Sequence, residues 1–462
     1  MSAHSLFADD ALLPTGWARN VLLHWTADGL LDRVEPGALP PEGARRAAGP
    51  VIPGLPNLHS HAFQRGFAGL TEYRSTAADS FWSWRELMYR FATALTPERL
   101  EAIATWLYVE MLEAGTTSVC EFHYVHHQPD GRPYADDATL SRTLLRAARR
   151  AGIGITLLPV LYQTGGFADQ PASPGQRRFL RSTDNMLSLL QTLQTDIAGT
   201  DDRIGLAPHS LRAVPQASLT EAIAGLHALD ATAPVHIHIA EQTKEVDDCL
   251  AWSGQRPVQF LLNHAPVDRR WCLIHATHMT QAEYRDAATT GAVAGLCPAT
   301  EANLGDGLFD LPQWRGHGGA WGVGSDSNTC VNAAEELMLL EYGQRLQRHE
   351  RNVLATPDQP HVATAMTLQA VAGGAQAAGR KIAGLQLGQR ADFVVLNPEH
   401  VALAGLPAED KLSAHVFASN RGSAISIVVA GGVERVAHGR HALHEPAATA
   451  FTLARAELLA DR

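Results

Sequence analysis

Cysteine is scarce. The five residues Cys120, Cys249, Cys272, Cys297 and Cys330 are scattered, and no Cys-x-x-Cys occurs. That argues against a disulfide framework and for buried free thiols in a reducing cytoplasm. Basic runs are missing, and the formal net charge is -11. Nucleic acid and anionic membranes are thereby poor partners. A small anionic substrate is compatible with this balance if arginines gather locally to meet it. No apolar run approaches the ~20 residues that span a bilayer. Residues Met1 to Pro14 carry Asp9 and Asp10 and lack a basic segment followed by an apolar block, so a signal peptide is not expected. No Gly-x-Gly-x-x-Gly follows the first strong strand, which disfavours a doubly wound dinucleotide fold.

What is present is a chain of 462 residues, 45% hydrophobic and 18% charged, enough for one large domain and a smaller one. Residues 1–50 read as strands and turns too small to bury much alone. From residue 51 to 384, strands and helices alternate. Thr96-Pro97-Glu98 marks a helix start, with Leu100, Ile103, Ala104, Leu107 and Met111 on one face and Gly115 closing it. Apolar strands end at His61, Tyr124, Leu161, Arg212, Glu241, His278, Pro298 and Asp326. About eight such units make a (β/α)8 TIM-type barrel, whose chemistry sits at the C-terminal strand ends. Residues 385–462 return to strand character and are expected to join residues 1–50 in a small β-sandwich domain built from both chain termini. The Gly/Pro-rich loop Gln163 to Gly175 is expected to be mobile and to cover a site.

The organising stretch is Val51-Ile-Pro-Gly-Leu-Pro-Asn-Leu-His59-Ser-His61. In a strand, residues two apart share a face, so His59 and His61 can aim two imidazoles at one point. An isolated His-x-His is usually structural. Here His238, His275 and Asp326 end later predicted strands and would converge on the same rim.

With these motifs in place, the chain resembles the amidohydrolase superfamily in its mononuclear deaminase branch. Pro53-Gly-Leu-Pro-Asn-Leu-His59-Ser-His61, His238-Ile-Ala-Glu241, His275 and Gly324-Ser-Asp326 carry the likeness along nearly the whole chain. Gln64, the run Phe81 to Tyr89 with Arg85, Glu121-Phe-His-Tyr124 and Pro208-His209-Ser-Leu-Arg212 narrow it to the N-formimino-L-glutamate deiminases of histidine breakdown. The resemblance implies metal ligands His59, His61, His238 and Asp326, and one Zn²⁺ per subunit. Three imidazoles and a carboxylate suit such an ion and leave a position for water, whose pKa falls to ~7. It further implies that Asp326 accepts the water proton, that Glu241 protonates the leaving nitrogen, and that His275 assists the attack. No lysine occupies a predicted strand end, and Lys244 lies only nearby, which disfavours a carbamylated-lysine binuclear site.

Gln64, Arg85, Tyr124, His209 and Arg212 are the expected contacts for the two substrate carboxylates, since a guanidinium fork suits bidentate recognition. Arg85 is balanced between that role and a surface ion pair. His236 reads as core filler, His123 as an outward structural residue, His126 and His127 as solvated, and His278 as capping or exposed. Trp82 and Trp84 read as packing. A homodimer is the expected assembly. The alternative activity is deamination of a neutral heterocycle of guanine, cytosine, adenosine or triazine type, favoured if Arg212 points away from the metal. A third reading, an inactive scaffold, sits poorly with the intact set of ligands, Glu241 and His275.

Overall fold

The structure is a computed structural model that describes residues 4–72, 81–419 and 424–460, with backbone alone for 81–83. The side chain of Trp82 therefore lies outside the described residues.

Short parallel strands close into a barrel. They are Leu55–Ser60, Thr116–His123, Gly154–Leu161, a fourth in two pieces (Arg203–Ile204 and Ala207–Pro208), Val235–Ile239, Trp271–His275, Val293–Leu296 and Ala320–Val323. Neighbours pair in parallel from the first strand to the fourth and from the fifth to the eighth. Bridges from Leu206 to Val235 and from Ser210 to His238 join the two halves, and a bridge from Ser60 to Asp326 closes the ring. Helices cover the outside, so most of these strands are buried along their whole length, and their sequences are apolar runs rather than alternating ones.

The helix Pro97–Glu113 starts as its sequence dictates. Thr96 Oγ1 accepts the Arg99 amide at 3.3 Å, Pro97 occupies the first turn, and the predicted apolar face is buried. After the eighth strand, Ala333–Arg348 and Val362–Ala378 return across the barrel. Gly373 lies so close to the eighth strand that an added Cβ would overlap the Trp321 carbonyl.

The ends of the chain meet in one sheet. Its order is Arg440–His441, Val433–Ala437, Ile425–Ala430, Phe393–Leu396, Val51–Pro53, Ser5–Leu13, Gly16–Trp25 and Leu31–Glu35. The two layers of the expected sandwich are the two wings of this sheet, folded over a core of Leu6, Leu23, Trp25, Phe393, Val395 and Val429. Backbone bonds from Leu31 N to Gln389 O (2.7 Å) and from Ala391 N to Gly29 O (2.8 Å) tie the wings together. Val51–Pro53 belongs to this sheet, and Leu55–Ser60, one residue later, is the first barrel strand.

Two helices of the C-terminal segment were not read from the sequence. Ala408–Phe417 and His444–Ala460 both pack on barrel helices rather than on the sheet. The last is anchored by Phe451 against Trp106, with ring centroids 6.2 Å apart, and by His444 Nδ1 at 2.8 Å from Glu113. It is rich in alanine, and its apolar periodicity is faint. The loop from Gln163 to Gly175 lies beside the site rather than over it. Phe167 is buried and stacks on Trp252 at 5.3 Å, and no residue of the loop lines the active-site cavity. Among the described residues, no helix is long and apolar enough to cross a membrane.

Candidate metal centre and active site

The first and eighth strands set the centre. His59 O accepts the Asp326 amide at 2.9 Å, and Asp326 O accepts the His61 amide at 3.0 Å. A polar clamp behind them was not foreseen. Asn57 Nδ2 donates to Ser325 Oγ at 2.6 Å, and Asn328 Nδ2 donates to the His61 carbonyl at 3.0 Å. Asn57 is the one amide in its strand, set among Leu55, Pro56 and Leu58 ahead of His59, which was a usable signal. The ends of the fifth, sixth and eighth strands turn through left-handed non-glycine residues: Ala240 (φ 49°), His275 (φ 65°), Ala276 (φ 48°) and Asp326 (φ 47°). Such conformations cost about 1–3 kcal/mol each and persist where surrounding structure fixes them, often at active sites.

His59, His61, His238 and Asp326 are all buried, and one donor atom from each lies within 4.8 Å of every other. Asp326 Oδ1 is 3.4 Å from His59 Nε2 and 3.2 Å from His61 Nε2. The Nε2 atoms of His59 and His238 are only 3.0 Å apart. His61 Nδ1 donates to the Phe122 carbonyl at 2.9 Å and His238 Nδ1 to the His209 carbonyl at 3.1 Å. These bonds fix the tautomer and turn a bare Nε2 lone pair inward, as outer partners of metal-ligating histidines do. Burial holds His59 neutral, lowering its pKa to about 3, and does the same to His238 with help from the neighbouring imidazoles. Burial alone would raise Asp326, but His59 and His61 outweigh it and keep the carboxylate ionised. Neutral nitrogens and a carboxylate, all aimed at one point, are a donor set that fits a divalent metal ion.

Around this point opens a cavity, partly open to solvent. His61, His238, Glu241, His275 and Asp326 line it together with Gln64, Arg85, Tyr124, His209 and Arg212 and with several aromatic and apolar side chains. His59 sits fully buried behind them. His275 Nε2 is 3.7 Å from Glu241 Oε1 and 3.6 Å from Asp326 Oδ2. Burial, with Asp326, pushes the Glu241 carboxyl upward against the pull of His275 and Arg212. Gln64 Nε2 donates to Tyr124 Oη at 2.8 Å. Burial works against the Arg212 charge, and Glu245 and nearby tyrosines outweigh it. The Arg85 guanidinium lies over the Tyr89 ring at 5.6 Å.

Several residues outside the machinery fall otherwise than expected. His126 and His127 are not solvated: their Nε2 atoms donate to the carbonyls of Val160 (2.9 Å) and Leu180 (2.8 Å), because the loop folds back on the barrel rim. His123 points away from the cavity but is buried beneath the helical layer, not turned to water. His278 is half-buried and caps nothing; Thr280 is the N-cap of the helix that follows. His236 is core, with Nε2 2.8 Å from the Ala377 carbonyl. Trp84 lines the cavity while packing on the core. Lys244 is exposed on its helix and bonded to Asp248 at 2.7 Å. Tyr162 and Phe179 line the cavity unforeseen. Tyr162 directly follows the third strand, the same signal that singled out Tyr124; Phe179 comes from a loop with no such mark.

Residues 51–434 match the Amidohydrolase family. The chain belongs to the amidohydrolase family. Residues 3–48 match "Formimidoylglutamate deiminase HutF, N-terminal domain". Among amidohydrolase relatives, the formimidoylglutamate deiminase of Pseudomonas aeruginosa is 52% identical over 98% of this chain and 99% of its own length. A 5-methylthioadenosine/S-adenosylhomocysteine deaminase of Shouchella clausii is 26% identical over 87% of each. The crystal structure of an amidohydrolase from Brucella melitensis superposes with a TM-score of 0.93 at 47% identity, covering 99% of this chain and 100% of that one. An adenosine deaminase from Xanthomonas campestris, solved with bound zinc, shares the fold with a TM-score of 0.81 at 19% identity, covering 99% and 98%.

Proposed function

We propose that the chain hydrolyses N-formimino-L-glutamate to N-formyl-L-glutamate and ammonia, as a step in histidine degradation. The observation that carries this reading is that one cavity is lined both by members of the buried donor set and by Arg212 and Arg85. A neutral heterocycle would offer no carboxylate to Arg212, whose buried Nε has no hydrogen-bond partner among the described residues. The 52% identity to a protein of the corresponding name supports the same choice.

His59, His61, His238 and Asp326 would hold the metal, and Zn²⁺ suits three imidazoles and a carboxylate. When bound, the ion supplies Lewis acidity and makes a water acidic near neutral pH. The remaining work belongs to side chains. Arg212 and Arg85, with Gln64, Tyr124 and His209, bind the two carboxylates and keep the glutamyl end away from the metal. Water adds to the formimino carbon, and Asp326 takes its proton. Glu241 gives its proton to the terminal nitrogen as the water adds, then carries the hydroxyl proton of the tetrahedral adduct to the same nitrogen. The C–N bond to that nitrogen breaks, ammonia leaves with the formyl C=O formed, and Asp326 returns its proton to Glu241. His275, between Glu241 and Asp326, orients the water.

Product analysis tests the proposal. Purified protein incubated with formiminoglutamate should release ammonia and N-formylglutamate, whereas formamide and glutamate would show that the other nitrogen is protonated and that the pose is wrong. A cytoplasmic location and a homodimer belong to the same reading. Free cysteines, four of them buried, support the first, and sedimentation of the purified chain tests the second.

A further inference from the structure

His275 is held from behind. Its ring lies in the cavity wall and stacks on His238 with centroids 5.6 Å apart and planes 10° apart. Its Nδ1 points the other way, to Glu301 Oε1 at 3.2 Å. Glu301 comes from the short helix Pro298–Leu304, directly after the seventh strand, and is buried without lining the cavity. The same Oε1 accepts the backbone amide of Cys297 at 2.9 Å, so the carboxylate is itself fixed in place.

We propose that Glu301 is a positioning residue that dictates which nitrogen of His275 faces the reaction. The carboxylate can only accept, so it selects the proton on Nδ1 and sends Nε2 toward Glu241 and Asp326. Without it the imidazole could rotate and present its other edge, and the backbone gives no reason to resist. His275 already occupies a left-handed conformation at φ 65°, where bulky residues are held only by their surroundings. Glu301 also gives the seventh strand a part in the site, although no side chain of that strand lines the cavity. The proposal rests on the reading of His275 as a group that acts on the attacking water.

The test combines two substitutions at Glu301 with one at His275. Glu301→Leu should lower kcat roughly 10–100-fold, the range seen when outer partners of functional histidines are removed. KM and metal stoichiometry should stay unchanged. Glu301→Gln should recover most of the loss, because its amide oxygen still accepts from Nδ1. In a His275→Ala background, Glu301→Leu should add no further loss, since the two act as one unit. The proposal is overturned if Glu301→Leu is as active as the parent, if its loss adds in full to that of His275→Ala, or if it falls only in step with the folded or metal-loaded fraction. Near-normal kcat in His275→Ala would instead overturn the role of His275 itself, and the two failures are told apart by that single variant.

Discussion

Glu241 and Arg212 face one cavity with opposite charges and separate tasks. Glu241 is two residues beyond the fifth strand and bonds no metal donor, so its removal should leave the metal in place. We expect Glu241→Gln to retain full metal stoichiometry while losing on the order of 10²–10⁴ in kcat, as for a group that moves a proton in the transition state. Metal analysis beside single-turnover kinetics checks this; metal loss would show that Glu241 is a ligand after all. Arg212→Ala removes a charge-assisted hydrogen bond to a carboxylate, with a penalty of about 1.5–3 kcal/mol in kcat/KM. Metal content should again be unchanged. A near-normal kcat/KM on formiminoglutamate would favour the neutral-heterocycle reading. Tyr162 belongs beside these two in the cavity wall, with its hydroxyl accepting from Gln176 Nε2 at 2.5 Å, though nothing in its sequence context names that partner.

Strands carry the chemistry because each leaves the barrel at a fixed height and direction. The Ser60–Asp326 bridge sets the height of the first strand against the eighth, and so sets the metal donors. The helix Val362–Ala378 backs the eighth strand so closely that Gly373 has no room for a methyl group against the Trp321 carbonyl. Gly373→Ala should therefore destabilise the fold by about 1–3 kcal/mol, the range for overpacking, because backbone cannot step aside as a flexible side chain can. A lowered thermal midpoint with near-normal activity in the remaining folded protein is the expected result. An unchanged midpoint would mean that helix and strand are free to separate.

At the scale of the molecule, metal and fold should be separable. The barrel has an extensive apolar core that owes little to one ion. Chelation should abolish turnover while far-UV circular dichroism stays nearly constant, and zinc should restore activity; full activity in verified metal-free protein would refute the mechanism. Acid stability should follow buried imidazoles remote from the centre. Burial lowers His415 to about 4, and burial with Arg181 and Arg178 lowers His123 to about 3. Both are depressed below the ordinary value near 6.5, so their contribution is present above pH ~6.5 and is lost as pH falls toward their folded values. For His415 the loss is on the order of 3 kcal/mol. Denaturant midpoints measured from pH 7 to 4 should fall, and less steeply in His415→Phe; parallel profiles would discount that residue.

The sequence by itself determined the barrel and the grouping of His59, His61, His238 and Asp326 at its rim, and it raised the expectation of an anionic substrate. Those features are local: an apolar run with a histidine or aspartate at its end is visible in a few residues, and Arg212 follows directly on a predicted strand. Tertiary structure alone decided the rest. Glu301 reaches His275 across 26 residues, and Asn57 reaches Ser325 across 268, with no periodicity to announce either pairing. The last helix has too weak an apolar stripe to be read, and it exists because Trp106 and Glu113 of a distant helix receive it. His126 and His127 looked solvated because a loop has no face of its own; only the folded chain brings them the carbonyls they bind, Val160 on a barrel strand and Leu180 on another loop. Contacts made by strand ends repeat along the chain and can be read there, whereas contacts made by what packs behind them depend on which distant segment arrives.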